Sequence, residues 1–105
     1  MGTVPSGATL QRFLLADRFR PLNHVVWTHQ ADATVLLDAD RGLYYTLNEV
    51  GGRIWELMAA GEPMIEILRC LGDEYEAPAE ALQDDLDGLL RQLLRDGLIE
   101  RVTTS

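Results

Sequence analysis

Val35-Leu-Leu-Asp-Ala-Asp-Arg-Gly-Leu-Tyr-Tyr-Thr-Leu-Asn-Glu-Val-Gly-Gly-Arg-Ile-Trp55 is the stretch that decides the fold. It reads as strand, tight turn, strand, helix cap and helix, with almost no slack between elements. Val35 to Leu37 and Leu43 to Leu47 are short apolar and aromatic runs whose side chains suit a pleated surface. Asp38-Ala-Asp-Arg-Gly42 holds turn formers, with Gly42 placed for the left-handed residue that closes a short hairpin loop. Asn48 is a natural N-cap for a helix opening at Glu49, because its side-chain oxygen accepts an otherwise unpaired backbone N–H. The later strand runs straight into that helix, which leaves little room for another strand beyond it. An uncovered strand is a sheet edge with free donors and acceptors. That edge is where function is expected.

Upstream, His24 to His29 predicts another strand, with Val25 and Trp27 on one face and Val26 and Thr28 on the other. Gln30-Ala-Asp32 turns into Ala33 to Leu37, so three strands on short turns predict an antiparallel meander. Met1 to Gly7 reads as a loose tail, and Thr9 to Phe19 fits helix or extended chain equally, up to Pro21. Downstream, Val50, Ile54, Trp55 and Met58 make an inward helical stripe with Leu57 beside it, ended by Gly61. Pro63 suits the first turn of a second helix, with Ile65, Leu68 and Leu71 inward and Gly72 as its stop. Pro78 and Ala79 open a third helix to Asp96, with Leu82, Leu86, Leu89, Leu90, Leu93 and Leu94 on its apolar side. Gly97 caps it, and Leu98-Ile99 packs back. The expected fold is α+β and winged-helix-like, a three-stranded antiparallel sheet followed by three helices. The domain spans residues 21–100, with residues 1–20 an N-terminal arm and 101–105 a C-terminal tail.

The chain has 105 residues, the size of one domain, and its 47% apolar content is enough for a packed core. No apolar run approaches the roughly 20 residues of a membrane span. Met1 to Gly7 lacks the basic start and apolar stretch of a secretory signal, so a cytoplasmic protein is expected. Net charge is −8 with no lysine, and nearly all of the imbalance lies between Glu62 and Glu100. An acidic face repels phosphate backbones and favours a basic peptide or protein as partner.

The residues Leu36-Leu-Asp, Gly42-Leu-Tyr-Tyr-Thr-Leu-Asn-Glu-Val-Gly51 and Ile54-Trp-Glu-Leu57 resemble the PqqD-like family of peptide-binding chaperones, also called RiPP recognition elements. So do the acidic third helix and its Leu94-Arg-Asp-Gly-Leu-Ile99 ending. The resemblance covers roughly residues 20–100. It implies a non-catalytic module that binds the leader segment of a ribosomally made precursor peptide and delivers it to a modifying enzyme. The leader adds to the third predicted strand and lies against the third helix. In lasso-peptide pathways the implied partners are a leader peptidase and a cyclase, and in pyrroloquinoline quinone synthesis a radical enzyme. Tyr-Tyr-x-Leu-Asn looks more like the lasso group.

The residues themselves agree on several points. Strand addition needs an open edge, which Leu43, Tyr44, Tyr45, Thr46 and Leu47 provide. Side-chain pockets between this strand and Leu86, Leu89, Leu90 and Leu93 would give specificity. Asp84, Asp85 and Asp87 at the rim would steer a basic leader, mainly by raising the association rate. Against this, a leucine row on a helix mainly packs on the sheet, and the Asp cluster also suits a solvated N-terminal helix half.

No catalytic motif, metal set or cofactor is expected. His24 and His29 sit at strand ends without Cys or carboxylate at ligand spacing. Cys70 reads as a small buried hydrophobe in the second helix, and Gly51-Gly52 permits close packing at a helix start. The rival readings are a winged-helix DNA-binding regulator and a self-associating structural domain. The first needs a basic recognition helix, whereas this one exposes Glu80, Asp84, Asp85 and Asp87 against Arg91 and Arg95.

Overall fold

The computed structural model describes residues 15–102, so the Met1–Gly7 tail and most of the Thr9–Phe19 segment lie outside it. In chain order the elements are β1 (Phe19–Pro21), β2 (Val25–Gln30), β3 (Ala33–Asp38), β4 (Leu43–Leu47), α1 (Glu49–Ala59), α2 (Met64–Glu74), α3 (Ala79–Arg95) and β5 (Ile99–Arg101). β2, β3 and β4 form the expected antiparallel meander, in that order. β2 is shifted one residue from the predicted His24–His29.

Turn chemistry sets the register. Ala31 and Asp32 form a two-residue loop between paired Gln30 and Ala33, with Ala31 in the left-handed region at φ 55°. At the next loop Gly42 has φ 70°, and its N–H donates to the Asp38 carbonyl at 2.8 Å. The Asp38 carboxylate, only 1% exposed, accepts from the Asp40 and Arg41 N–H groups at 3.1 Å each. A short acidic side chain binding the backbone two and three residues on is how an Asx turn holds its shape.

The register also sorts the faces. Trp27 and His29 stand opposite Leu36 and Thr34, which in turn stand opposite Tyr45 and Leu47. This row faces the helices: Leu36 is fully buried, and Trp27 meets Trp55 of α1 edge-on, with ring centroids 5.3 Å apart. Val26, Leu37 and Tyr44 make one cross-strand row on the opposite, outer face.

α1 begins as expected, with Asn48 Oδ1 accepting the Gly51 N–H at 2.8 Å. It lies so close to β3 that a Cβ on Gly52 would collide with Thr34 Oγ1 and sit 3.2 Å from Thr34 Cβ. Thr34 is buried, with its hydroxyl 2.8 Å from His29 Nδ1, so it has little room to retreat. We expect Gly52→Ala to cost about 2 kcal/mol by overpacking, outweighing its better helix propensity. Thermal unfolding followed by circular dichroism would then show a Tm about 10 °C lower. Adding Thr34→Ala should recover part of the loss.

α2 departs from the sequence reading in two ways. Its buried side chains are Met64, Ile67 and Leu71, whereas Ile65, predicted inward, is 50% exposed. The Pro63 cap puts Met64 at the first helical position, and its N–H donates to the Asp17 carbonyl at 2.9 Å. That anchor turns the i, i+3, i+7 stripe one residue from the predicted phase. Gly72 does not stop the helix, which runs on to Glu74 and ends where Tyr75 becomes extended. Gly61 and Gly97, by contrast, adopt the positive φ of true stops, at 94° and 74°.

Arg53 of α1 grips Glu74 of α2 in a fork, Nε to Oε1 at 2.9 Å and Nη2 to Oε2 at 2.7 Å. The hydrogen bond from Arg53 holds the Glu74 carboxyl below the usual carboxylate range. A depressed folded-state pKa stabilises above the unfolded pKa, and the contribution fades as pH falls through the folded value. Glu74→Gln should therefore lower Tm by about 2–4 °C near neutrality, a surface-pair effect. The gap to wild type should close in acid, below the ordinary carboxylate range.

β1 and β5 form a second, two-stranded antiparallel sheet, with Phe19 opposite Arg101 and Pro21 opposite Ile99. Phe19 is fully buried, and the Arg101 guanidinium lies over its ring, 5.8 Å from the centroid. The Leu22 N–H donates to the Leu98 carbonyl at 3.0 Å, tying the start of the domain to the chain after α3. Leu98 and Ile99 do pack back, as expected, and both are buried.

Candidate functional site

The register decides which backbone groups of β4 are free. In an antiparallel pair, opposed residues alternate between exchanging both hydrogen bonds and exchanging none. A two-residue loop makes Gln30 and Ala33 a bonded pair, so Ala33, Val35 and Leu37 spend their N–H and C=O groups on β2. The Ala39 N–H donating to the His24 carbonyl at 2.9 Å continues that alternation. Thr34, Leu36 and Asp38 must then bond β4 through their partners Leu47, Tyr45 and Leu43. The N–H and C=O of Tyr44 and Thr46 consequently point away from β3. No strand among the described residues pairs with that side of β4.

Beside this edge runs a groove of about 400 Å³, within the usual range for ligand sites. β4 contributes Tyr45, Thr46 and Leu47, α1 contributes Val50, Gly51 and Ile54 behind the Asn48 cap, and α3 contributes Asp85, Leu89, Gln92, Leu93 and Asp96. Its apolar side chains are those of Tyr45, Leu47, Val50, Ile54, Leu89 and Leu93, set among polar Thr46, Asn48, Asp85, Gln92 and Asp96. Gly51 keeps it deep, since a Cβ there would stand 3.4 Å from Leu47 Cβ and 3.7 Å from Leu89 Cδ2. Asn48 cannot rotate into the groove without giving up the Gly51 N–H.

Of the residues singled out in the sequence, Tyr45, Thr46, Leu47, Asp85, Leu89 and Leu93 come together around this groove. Leu43 and Tyr44 lie on the same strand outside it, and Tyr44 stands on the outer sheet face, 71% exposed. Leu86 and Leu90 are completely buried and belong to the core. Asp84 and Asp87 are not part of the lining. Asn48, Val50, Gly51, Ile54, Gln92 and Asp96 also line it and were not named as site residues. The last two follow from helical spacing, since positions 85, 89, 92, 93 and 96 share one face. The leucine row drew the eye to the neighbouring, core-facing side instead.

Both histidines have partners. His24 Nε2–H donates to the Gly97 carbonyl at 3.1 Å, joining the start of β2 to the end of α3. Among the described residues no cluster of His, Cys, Asp and Glu is arranged to hold a metal ion. No helix among them is long and apolar enough to cross a membrane.

The family described as coenzyme PQQ synthesis protein D, PqqD, matches residues 33–99. The chain belongs to the PqqD family. The span shared with PqqD runs from β3 to the first residue of β5, so it contains β4 and the whole groove. A solved structure described as "TbiB1 in Complex with the TbiA(beta) Leader Peptide" is 33% identical, with a TM-score of 0.74. The match covers 81% of this chain and 99% of that one. A second, "Lasso peptide synthetase B1 complexed with the leader peptide", is 24% identical with a TM-score of 0.73, covering 79% and 98%. At that identity it speaks for the α+β fold alone. No curated protein sequence matches the chain.

Proposed function

We propose that this PqqD-family chain is a non-catalytic, cytoplasmic recognition module for the leader segment of a ribosomally made precursor peptide. The observation that carries the reading is the unpaired edge of β4 running along a groove that offers both apolar and polar side chains. A leader strand pairs with the N–H and C=O of Tyr44 and Thr46. Its alternate side chains enter the groove between Tyr45, Leu47, Leu89 and Leu93. The similarity to TbiB1, described in complex with a leader peptide, supports the same class of ligand, and the Tyr-Tyr-x-Leu-Asn stretch favours a lasso-type precursor. The bound leader is then handed to a processing enzyme, a leader peptidase and cyclase in that setting, or a radical enzyme in the alternative one.

Magnitudes explain why both halves are needed. Four main-chain hydrogen bonds contribute about 1 kcal/mol each, net of lost water. A micromolar complex requires about 8 kcal/mol after the leader has lost its chain entropy. The shortfall has to come from side chains buried in the groove, at about 1.5–3 kcal/mol for each large apolar one.

α3 exposes Glu80, Asp84 and Asp85, a negative surface that repels a phosphate backbone, so a DNA-binding role is disfavoured. Anisotropy titration of the labelled leader encoded by the short reading frame beside the gene tests the reading, with a random DNA duplex as control. Saturable peptide binding without DNA binding is expected. Salt-sensitive DNA binding in place of peptide binding would overturn it. Elution as a monomer would count against self-pairing of the β4 edge.

A further inference from the structure

The groove carries a charge pattern that strand addition by itself leaves unused. The groove-facing side of α3 and its C-cap reads Asp85, Leu89, Gln92, Leu93, Asp96, a carboxylate on either side of two leucines and a glutamine. Among the described residues no basic side chain lines the groove. Neither carboxylate makes an ion pair with another described residue. Arg41 reaches the Asp96 end, but through the backbone carbonyl at 3.4 Å, and its charge is matched by Asp38 at 3.8 Å.

Helix and strand geometry convert this pattern into a spacing. An α-helix rises 1.5 Å per residue, so positions 85 and 96 stand about 16 Å apart along α3. An extended peptide advances about 3.3 Å per residue, so the same length is about five residues of an added strand. Side chains that share a face recur at even intervals, which leaves separations of four or six. The flexible stems of lysine and arginine absorb the remaining few ångströms. Between them lies one groove-facing position at a separation of four and two at six, and an apolar side chain there sits over Leu89 and Leu93.

We propose that Asp85 and Asp96 act as a charge ruler, selecting extended peptides with two basic side chains four or six residues apart around an apolar one. The proposal rests on the strand-addition reading and adds the chemistry of the peptide to it. It replaces the sequence expectation of a rim made by Asp84, Asp85 and Asp87, because only Asp85 of those three reaches the groove. In this role the carboxylates act on selection as well as on encounter, since a peptide with acidic groups at those positions is repelled from both ends.

The test is selection of a displayed random-peptide library on the wild-type protein and on an Asp85→Lys/Asp96→Lys variant. Wild type should enrich a basic pair at the stated spacing around an apolar residue, and the variant should enrich acidic residues there. The best wild-type peptide, titrated against Asp85→Asn and Asp96→Asn, should bind about threefold more weakly to each and about tenfold more weakly to the double variant. Those differences should shrink at high salt. Peptides enriched by both proteins without any charge spacing would overturn the ruler and leave strand addition standing. Absence of enrichment on wild type, or equal binding of the selected peptides by Thr46→Pro, would overturn strand addition and the ruler with it.

Discussion

A Thr46→Pro variant is expected to fold and to bind the leader at least about 50-fold more weakly than wild type, a loss of roughly 2–3 kcal/mol. Folding survives because Thr46 sits opposite Val35 in a pair that exchanges no hydrogen bonds, so its N–H plays no part in the β3–β4 ladder. Proline is tolerated on an edge strand when the missing N–H faces outward. Binding suffers because that N–H is one of four backbone groups offered to an added strand, and the ring occupies the space the strand needs. Thr46→Val keeps the N–H and the branched shape, so its affinity should stay within about twofold of wild type. Anisotropy with the same leader, beside circular dichroism of each variant, checks both statements. Equal affinity of folded Thr46→Pro and wild type would rule out pairing at this edge. Tyr44 offers the matching backbone groups one pair nearer the turn, so Tyr44→Pro should behave alike.

Local chemistry explains which parts of the fold could be read from the sequence. The Asp38–Gly42 loop, the Asn48 cap and the positive-φ glycines at 61 and 97 are each settled within a few residues, and each stands where it was expected. The existence of β3 and β4 was equally plain from their apolar and aromatic runs, but the inward face of β3 was not, since it buries Thr34, Leu36 and Asp38 and turns Val35 and Leu37 outward. The phase of α2 was not legible. It depends on the Met64 N–H meeting the Asp17 carbonyl, a contact between residues 47 positions apart (64 − 17) that no periodicity announces. β1 and β5 escaped for a similar reason, since three residues are too few to show a pattern and their pairing spans the whole domain.

The site divided along the same line. The edge at Leu43–Leu47 follows from a strand running directly into a helix cap, which is sequence-local. Groove against core on α3 is a matter of helix rotation, so the leucine row looked uniform although Leu86 and Leu90 are core and Leu89 is half-buried at the groove. Gly51 looked like a packing glycine, which it is, but its effect is to deepen the groove between α1 and α3. That consequence appears only once both helices are in place.

Leu89→Asp should abolish measurable leader binding, weakening it by about 100-fold or more, while the domain stays folded. Leu89 is partly buried against the edge of the core, so the aspartate keeps contact with water and the domain loses some packing as well as propensity, which circular dichroism of the variant would register. In the proposed complex the same position is covered by an apolar side chain of the leader, and a carboxylate there would be desolvated without a partner. Losing the burial of one large apolar contact costs about 1.5–3 kcal/mol, and an unpaired buried polar group adds roughly 1–3 kcal/mol more. Ile65→Asp introduces the same charge on an exposed α2 position outside the groove, and it should not weaken binding. The pair of variants separates a groove effect from a general increase in negative charge. A leader carrying basic groups would gain slightly from Ile65→Asp through long-range attraction, and that gain would vanish with salt. Leu89→Asp should stay defective at every salt concentration, because desolvation in a covered groove is not screened. If Leu89→Asp bound the leader as tightly as wild type, the peptide would be held by the β4 edge alone, and α3 would have no part in recognition.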